Sequence, residues 1–330
     1  MFDEFTASSS ALPPHVQIDA SAESAPSNQP PNVFIDKISI TFNIINEGHE
    51  QGLFQQIIEM PKDLETGWYS AVKGAYKGAV RIHAPVGGHD HVLGPWSKPY
   101  MLVQVHPKNG EGGYLRIEWN PAKFDAAQKD YLFKQLDDFL DLAPSIVGKA
   151  KVTRIDVAVD LPGIQIGDYA FERPKSPIRH LIYRKGRLET LYLGTKAKGQ
   201  FCIYDKGAQL GDKTKVLTRV EARACPNLAA TDLHAMKNPL VLIQVYDIAA
   251  AKLQLGKPLT STLHRAVRAE GLHGPMTDFP PLAISKNESA VKANSAAFWT
   301  PGKFWQTWPA AIANALPQFG SPADYGVFKN

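Results

Sequence analysis

The chain has 330 residues, 44% of them apolar, with a net charge of +4 and two cysteines, Cys202 and Cys225. That length suits one large core, or one large core and a small second domain, and the absence of any run of about 18 apolar residues excludes a membrane-spanning helix. Neither cysteine has a metal-ligand spacing and Met1 to Ser10 is acidic and polar, so a reducing cytoplasm is expected, with no disulfide framework, zinc site or signal peptide.

Residues 1–32 hold Asp3, Glu4, Asp19 and Glu23 and no Lys or Arg. They are rich in Ser, Ala and Pro, too poor in large apolar groups to offset their ordering entropy, and are expected to form a disordered tail. Taking those four acids from 32 leaves 28 against 36 basic residues, so the rest of the chain carries about +8. A charge of that sign and size suits a polyanionic partner, although ordinary soluble proteins share it.

A strand pattern opens at Val33 and runs to Phe42. A short helix is expected from Leu53 to Met60, ended by Pro61, and further strands around Gly78–His83 and Tyr100–His106. Tyr114 to Asn120 alternates as a strand and stops at Pro121. Asp125 to Leu142 repeats its apolar residues at helical spacing, and Val152 to Asp160 is again a strand. From Ile178 to Ala224 come a hairpin-like pair about Gly186, a strand Phe201–Lys206 and a strand Leu217–Ala224. Strands outnumber helices and their connections are short, which predicts an α+β domain over residues 33–228 with a mostly antiparallel sheet and helices on one face. Residues 229–330 read as a small helical C-terminal region with Phe298, Trp299, Phe304, Trp305 and Trp308 clustered.

Side chains alternate along a strand, so each strand splits into two faces. Ile155, Val157 and Val159 oppose Arg154, Asp156, Ala158 and Asp160. Leu115, Ile117 and Trp119 oppose Arg116, Glu118 and Asn120. Val220 and Ala222 alternate with Arg219, Glu221 and Arg223, while Phe201 and Ile203 oppose Cys202, Tyr204 and Lys206. One such strand is most simply a half-solvated sheet edge with cross-strand ion pairs. Four together, short of Thr, Ser and Gln, suggest a groove fitted for phosphodiester chemistry. There the carboxylates Asp156, Asp160, Glu221 and Glu118 would offer hard oxygen ligands to Mg²⁺ or Mn²⁺. Arg154, Arg219, Arg223 and Arg116 would hold DNA, and Tyr204 would supply the nucleophile with Lys206 beside it.

Geometry restricts this set. Asp156 and Asp160 lie about 13 Å apart along a strand, so at most one can bind a given ion, the other serving an arginine or the groove wall. A hairpin register that pairs Tyr204 with Arg219 would set Cys202 opposite Glu221, and Glu221 diagonal to Tyr204. Lys206 is equally a phosphate contact or a solvated lysine. His89-Asp90-His91, flanked by Gly87, Gly88 and Gly94, is read as a loop rather than a metal site, and Cys202 and Cys225 as small core-edge residues.

Several short stretches together resemble one family. These are Leu193-Gly194, Cys202-Ile203-Tyr204-Asp205-Lys206-Gly207, Gln209-Leu210-Gly211-Asp212 and Thr218-Arg219-Val220-Glu221. Upstream stand Thr153-Arg154-Ile155-Asp156 with Asp160, and Arg116 to Pro121. Their order and spacing, over about residues 33–225, are similar to the replication initiation factor family of rolling-circle plasmids, filamentous phages and conjugative elements. The resemblance implies that Tyr204 attacks an origin phosphodiester, leaving a 5′-phosphotyrosine and a free 3′-OH for a polymerase. It further implies a divalent metal, single-stranded or locally melted origin DNA as substrate, and a host helicase as partner. A homodimer is left open. The competing readings are a non-catalytic DNA-binding regulator on the same fold and a metal-dependent nuclease that uses water. A tyrosine recombinase is disfavoured, because its tyrosine normally sits in a helical domain.

Overall fold

The computed structural model describes residues 31–44, 52, 55–57, 59, 68–71, 74–85, 99–107, 113–140, 150–174, 176, 179–212, 214–253 and 281–316. The expected tail, apart from its last two residues, lies outside them, as do His89-Asp90-His91 and part of the expected helix at Leu53–Met60. The N-terminal half contains β1 (Val33–Ile44), β2 (Trp68–Ser70), β3 (Tyr76–Ile82), β4 (Met101–Pro107), β5 (Gly113–Trp119) and helix α1 (Ala126–Leu140). Next come β6 (Lys151–Pro162), β7 (Tyr169–Glu172), β8 (Arg179–Arg184), β9 (Arg187–Gly194), β10 (Gln200–Asp205), the short helix α2 (Lys206–Gln209) and β11 (Leu217–Ala224). The chain continues through β12 (Leu228–Ala229), β13 (Gln244–Asp247), α3 (Ile248–Leu253), α4 (Pro281–Ala293), α5 (Pro301–Trp305) and α6 (Trp308–Ala315).

The fold is α+β. One large sheet runs in the order β2-β3-β4-β5-β1-β6-β11-β10-β9-β8, and β12 extends it by pairing with β6 just beyond the end of β11. Every pairing among the described strands is antiparallel. The β8–β9 hairpin turns on Lys185 and Gly186, both at positive φ (51° and 75°), the conformation whose twist matches that of the flanking strands.

One face of the sheet is largely apolar. Ile38, Ile40, Ile117, Ile155, Val157, Val220 and Ile203 form a single core with Leu132, Phe133 and Leu136 of α1 and Trp308 and Ile312 of α6. Helix α1 starts with a reciprocal cap: the Gln128 amide N–H donates to Asp125 Oδ1 (2.8 Å), and the Asp125 N–H donates to Gln128 Oε1 (3.1 Å). The C-terminal residues belong to the same core. The Val33 N–H donates to Thr307 Oγ1 (3.0 Å) and Trp308 Nε1 to the Leu233 carbonyl (3.1 Å). Beside its helices this region also contributes β13, which pairs with β7 in a second, two-stranded sheet. No described helix is long and apolar enough to cross a membrane.

Two bulges shape the opposite, polar face. Between β1 and β6 the register steps from Ile35↔Val157 to Lys37↔Asp156, leaving Asp36 as an extra residue. It steps again from Ser39↔Arg154 to Ile40↔Val152, leaving Thr153 over. The sequence carries the first step as a break in alternation: Val33 and Ile35 are buried, and then Ile38, Ile40 and Phe42 are.

Candidate active site

Hydrogen-bonded registers line up the polar side chains in rows across the strands. Tyr204 pairs with Arg219, and Arg219 with Asp160. Cys202 pairs with Glu221. Arg223 pairs with Asp156, and Asp156 with Lys37. Ser39 pairs with both Arg154 and Glu118. The hairpin register expected from the sequence is therefore the one present.

Strand β10 ends one residue earlier than its alternation suggests. The Asp205 side chain accepts from the Ala208 N–H (2.8 Å) and starts α2, so Lys206 is helical rather than extended. The correction has a local cause: Asp is a strong helix cap, and the Gly207 that follows allows the tight return of the chain. A Cβ on Gly207 would lie 1.9 Å from the Lys215 carbonyl oxygen. Lys206 keeps its place beside Tyr204, with Nζ 5.8 Å from the centre of the Tyr204 ring and donating to Gln209 Oε1 at 2.7 Å.

A cavity of about 480 Å³ opens on this face, lined by Tyr204, Lys206 and Gln209 at one end and by Glu221, Arg223, Asp156, Arg154, Asp36, Lys37 and Lys123 around it. Five cations face three carboxylates, so the lining carries a net +2. Of the expected site residues, Tyr204, Lys206, Asp156, Glu221, Arg154 and Arg223 come together here. Asp160 and Arg219 form a pair alongside: Arg219 donates to both Asp160 oxygens (2.6 and 2.8 Å) and to Asp36 Oδ1 (2.7 Å), its guanidinium 4.8 Å from the centre of the Phe34 ring. Glu118 and Arg116 lie on β5, beside β1, and bond to each other, with Lys37 and Ser39 completing the Glu118 shell. Asp36, Lys37, Lys123 and Gln209 are lining residues that strand alternation missed. The alternation break at Asp36-Lys37 was the available signal, since a bulge puts two consecutive side chains on one face.

The decisive contact is buried. Tyr204 is only 8% exposed and its hydroxyl donates to Glu221 Oε1 at 2.7 Å, while Glu221 Oε2 accepts from Arg223 at 3.0 Å. Burial, then the charge of Glu221 and the hydrogen bond to it, push the Tyr204 phenol well above its usual range, against a smaller opposing effect of Arg219. The phenol is therefore protonated at neutral pH, with a carboxylate placed to take its proton. Burial, followed by Arg219, pushes the Lys206 ammonium below its ordinary value. Cys202, also on this face, is raised to about 11, first by burial, and remains a thiol.

A divalent ion is a poorer match. Both oxygens of Asp156 accept from Arg154 (3.0 and 2.8 Å), and both oxygens of Glu221 are held by Tyr204 and Arg223. Among the described residues no three His, Cys, Asp or Glu side chains converge as a metal site. As placed, the set does not present the open cluster of hard oxygens that Mg²⁺ or Mn²⁺ takes. The lining instead has an excess of guanidinium and ammonium groups over carboxylates, a chemistry that suits a phosphate.

No protein family model matches the chain, and no curated protein sequence matches it significantly. Among solved structures it is similar to a rolling circle replication initiator protein from Geobacillus stearothermophilus, at 16% identity and a TM-score of 0.33, over 59% of this chain and 74% of that one. At that level of similarity nothing about activity passes from one protein to the other.

Proposed function

We propose that the chain is a DNA-nicking transesterase of the rolling-circle initiator kind, with Tyr204 as nucleophile and Glu221 as its general base. The observation that carries this reading is the buried Tyr204–Glu221 hydrogen bond at the wall of a cationic groove. A backbone phosphate enters among Arg154, Arg223, Lys37, Lys123 and Lys206. Tyr204 Oη attacks phosphorus as its proton passes to Glu221. The P–O3′ bond breaks, the 3′-oxygen takes up a proton, and the 5′-phosphate stays on Tyr204. One phosphodiester replaces another, so the nick can be resealed without a nucleotide cofactor. The free 3′-OH is what a polymerase extends, which makes a polymerase and a host helicase partners of this reading.

The water-using nuclease is less well supported, because the carboxylate that would activate water is already occupied by Tyr204 and Arg223. The test is incubation with single-stranded DNA and Mg²⁺ or Mn²⁺, followed by denaturing electrophoresis. Tyr204→Phe is expected to abolish both nick and covalent adduct while folding and DNA binding stay near wild type. Full-rate nicking by that variant would hand the function to the water-using nuclease, and a wild type that binds but never nicks would favour the regulator. A metal requirement is a separate proposal, supported if adduct formation stops in EDTA and returns with added ion.

A further inference from the structure

A second cavity, of about 260 Å³, adjoins the first, and Lys37 and Lys123 line both. Its other walls are Tyr100, Leu102, Glu118 and Asn120. Leu102 is out of character with its surroundings. It alternates with the buried Met101 and Val103, so it stands on the otherwise polar face, directly opposite Glu118. Tyr100 is fixed from behind, its ring 5.9 Å from that of His83 and 4.9 Å from the Arg81 guanidinium. Asn120 is held at the rim by donating to the Asp36 carbonyl at 2.8 Å. Burial raises the Glu118 carboxyl, but the hydrogen bond and charge of Lys37, then Arg116 and Ser39, outweigh it and leave the group below its ordinary value. An aromatic and an aliphatic wall, an amide and a carboxylate at the edge, and two lysines toward the neighbouring phosphate site together match one unstacked nucleotide.

We propose that this side cavity receives a single nucleobase of the strand whose phosphate lies at Tyr204, with Lys37 and Lys123 bridging the two cavities along the backbone. The proposal rests on the reading of the larger cavity as a DNA-nicking site. It gives the groove a direction: the strand crosses the sheet from β10 toward β4, with one base turned down between Tyr100 and Leu102. A base in this position fixes which phosphate reaches the nucleophile, because the distance from base to phosphate is set by the nucleotide itself.

The test compares two fluorescein-labelled decamers by anisotropy on the full chain. One has an abasic sugar–phosphate backbone throughout, and the other carries a single thymidine at its centre. The thymidine strand is expected to bind wild type roughly 5-fold or more tightly, the least that stacking one base on an aromatic ring contributes. Tyr100→Ala is expected to remove that gain without weakening the fully abasic strand, and Tyr100→Phe to retain it. Leu102→Ala, at a half-buried position, provides the same comparison if loss of the Tyr100 ring disturbs the fold. A gain that survives in both alanine variants overturns the subsite, as does equal binding of the two strands by wild type, and both leave the nicking site standing. Failure of both strands to bind overturns the subsite and the nicking site together.

Discussion

Glu221 and Tyr204 form the smallest unit on which the function depends. With its hydroxyl donating to a carboxylate, the phenol stays protonated at neutral pH, so the proposed attack requires transfer of its proton to Glu221. Glu221→Gln keeps a hydrogen-bond acceptor but cannot take the proton. It is expected to slow nicking roughly 100- to 10,000-fold with little change in DNA affinity, measured as single-turnover adduct formation. The same substitution removes a cause of the raised phenol pKa, so the ultraviolet titration of Tyr204 should move to lower pH. His83 carries a different residue-scale expectation. It is fully buried, packed against Tyr69 and Tyr100, and neither ring nitrogen has a hydrogen-bond partner among the described residues. Burial, then Arg81, lowers its pKa from the ordinary value. The unfolded chain, titrating near pH 6.5, therefore binds the proton first as pH falls. The His83 contribution to stability is fully present above about pH 6.5 and is lost below it, until the folded form protonates as well. Urea midpoints at pH 8 and pH 5.5 should differ for wild type, and that part of the difference should vanish in His83→Phe.

At the scale of elements, the site depends on two departures from regular structure. The bulge at Asp36 lets consecutive residues Asp36 and Lys37 serve the same face, one holding Arg219 and the other lining both cavities. The α2 turn swings Lys206 around the end of β10 and depends on Gly207, where the backbone passes against Lys215 too closely for a side chain. Gly207→Ala is expected to cost about 1–3 kcal/mol through overpacking. It should also depress nicking more than binding, since it displaces Lys206 and leaves Arg154 and Arg223 in place. Chemical denaturation and adduct assays on the same preparation separate the two effects. Strand alternation correctly separated Ile155, Val157 and Val159 from Arg154, Asp156 and Asp160, because a two-residue period reports which face is wet whatever the neighbouring strand is. It was silent on Asp36, Lys123 and the helical state of Lys206, where a bulge, a single 3-10 turn and a cap override the period.

On the scale of the whole molecule, a wide antiparallel sheet separates two environments. The core and helices α1 and α6 lie on one side, and a cationic groove crosses four central strands on the other. Binding to single-stranded DNA should weaken with salt by a log–log slope of roughly −0.7 per phosphate neutralised. Arg154, whose side chain is 38% exposed, should lower that slope by one such step when replaced by Ala. Arg219, 11% exposed and held by Asp160 and Asp36, should cost stability instead, because its loss strands two carboxylates. Fluorescence titrations from 50 to 300 mM salt, about the span over which such slopes are read, distinguish the two.

Strand positions, the apolar and polar faces and six of the residues that line the candidate site were legible in the sequence alone, because alternation and side-chain chemistry are local properties. The pairing of Tyr204 with Arg219 was one register that the short connection between the two strands permitted, and it is the one present. Which carboxylate meets the phenol, and which arginines remain available to a phosphate, was decided only by tertiary structure. The Tyr204–Glu221 contact joins β10 to β11 across a short connection, whereas Arg219 reaches Asp160 on β6 and Asp36 on β1 across long stretches of chain, the last at a bulge that shifts the register by one residue. Asp160 and Asp156 look alike in sequence, yet the first is held by Arg219 of the neighbouring strand and the second by Arg154 of its own strand, and only Asp156 lines the groove.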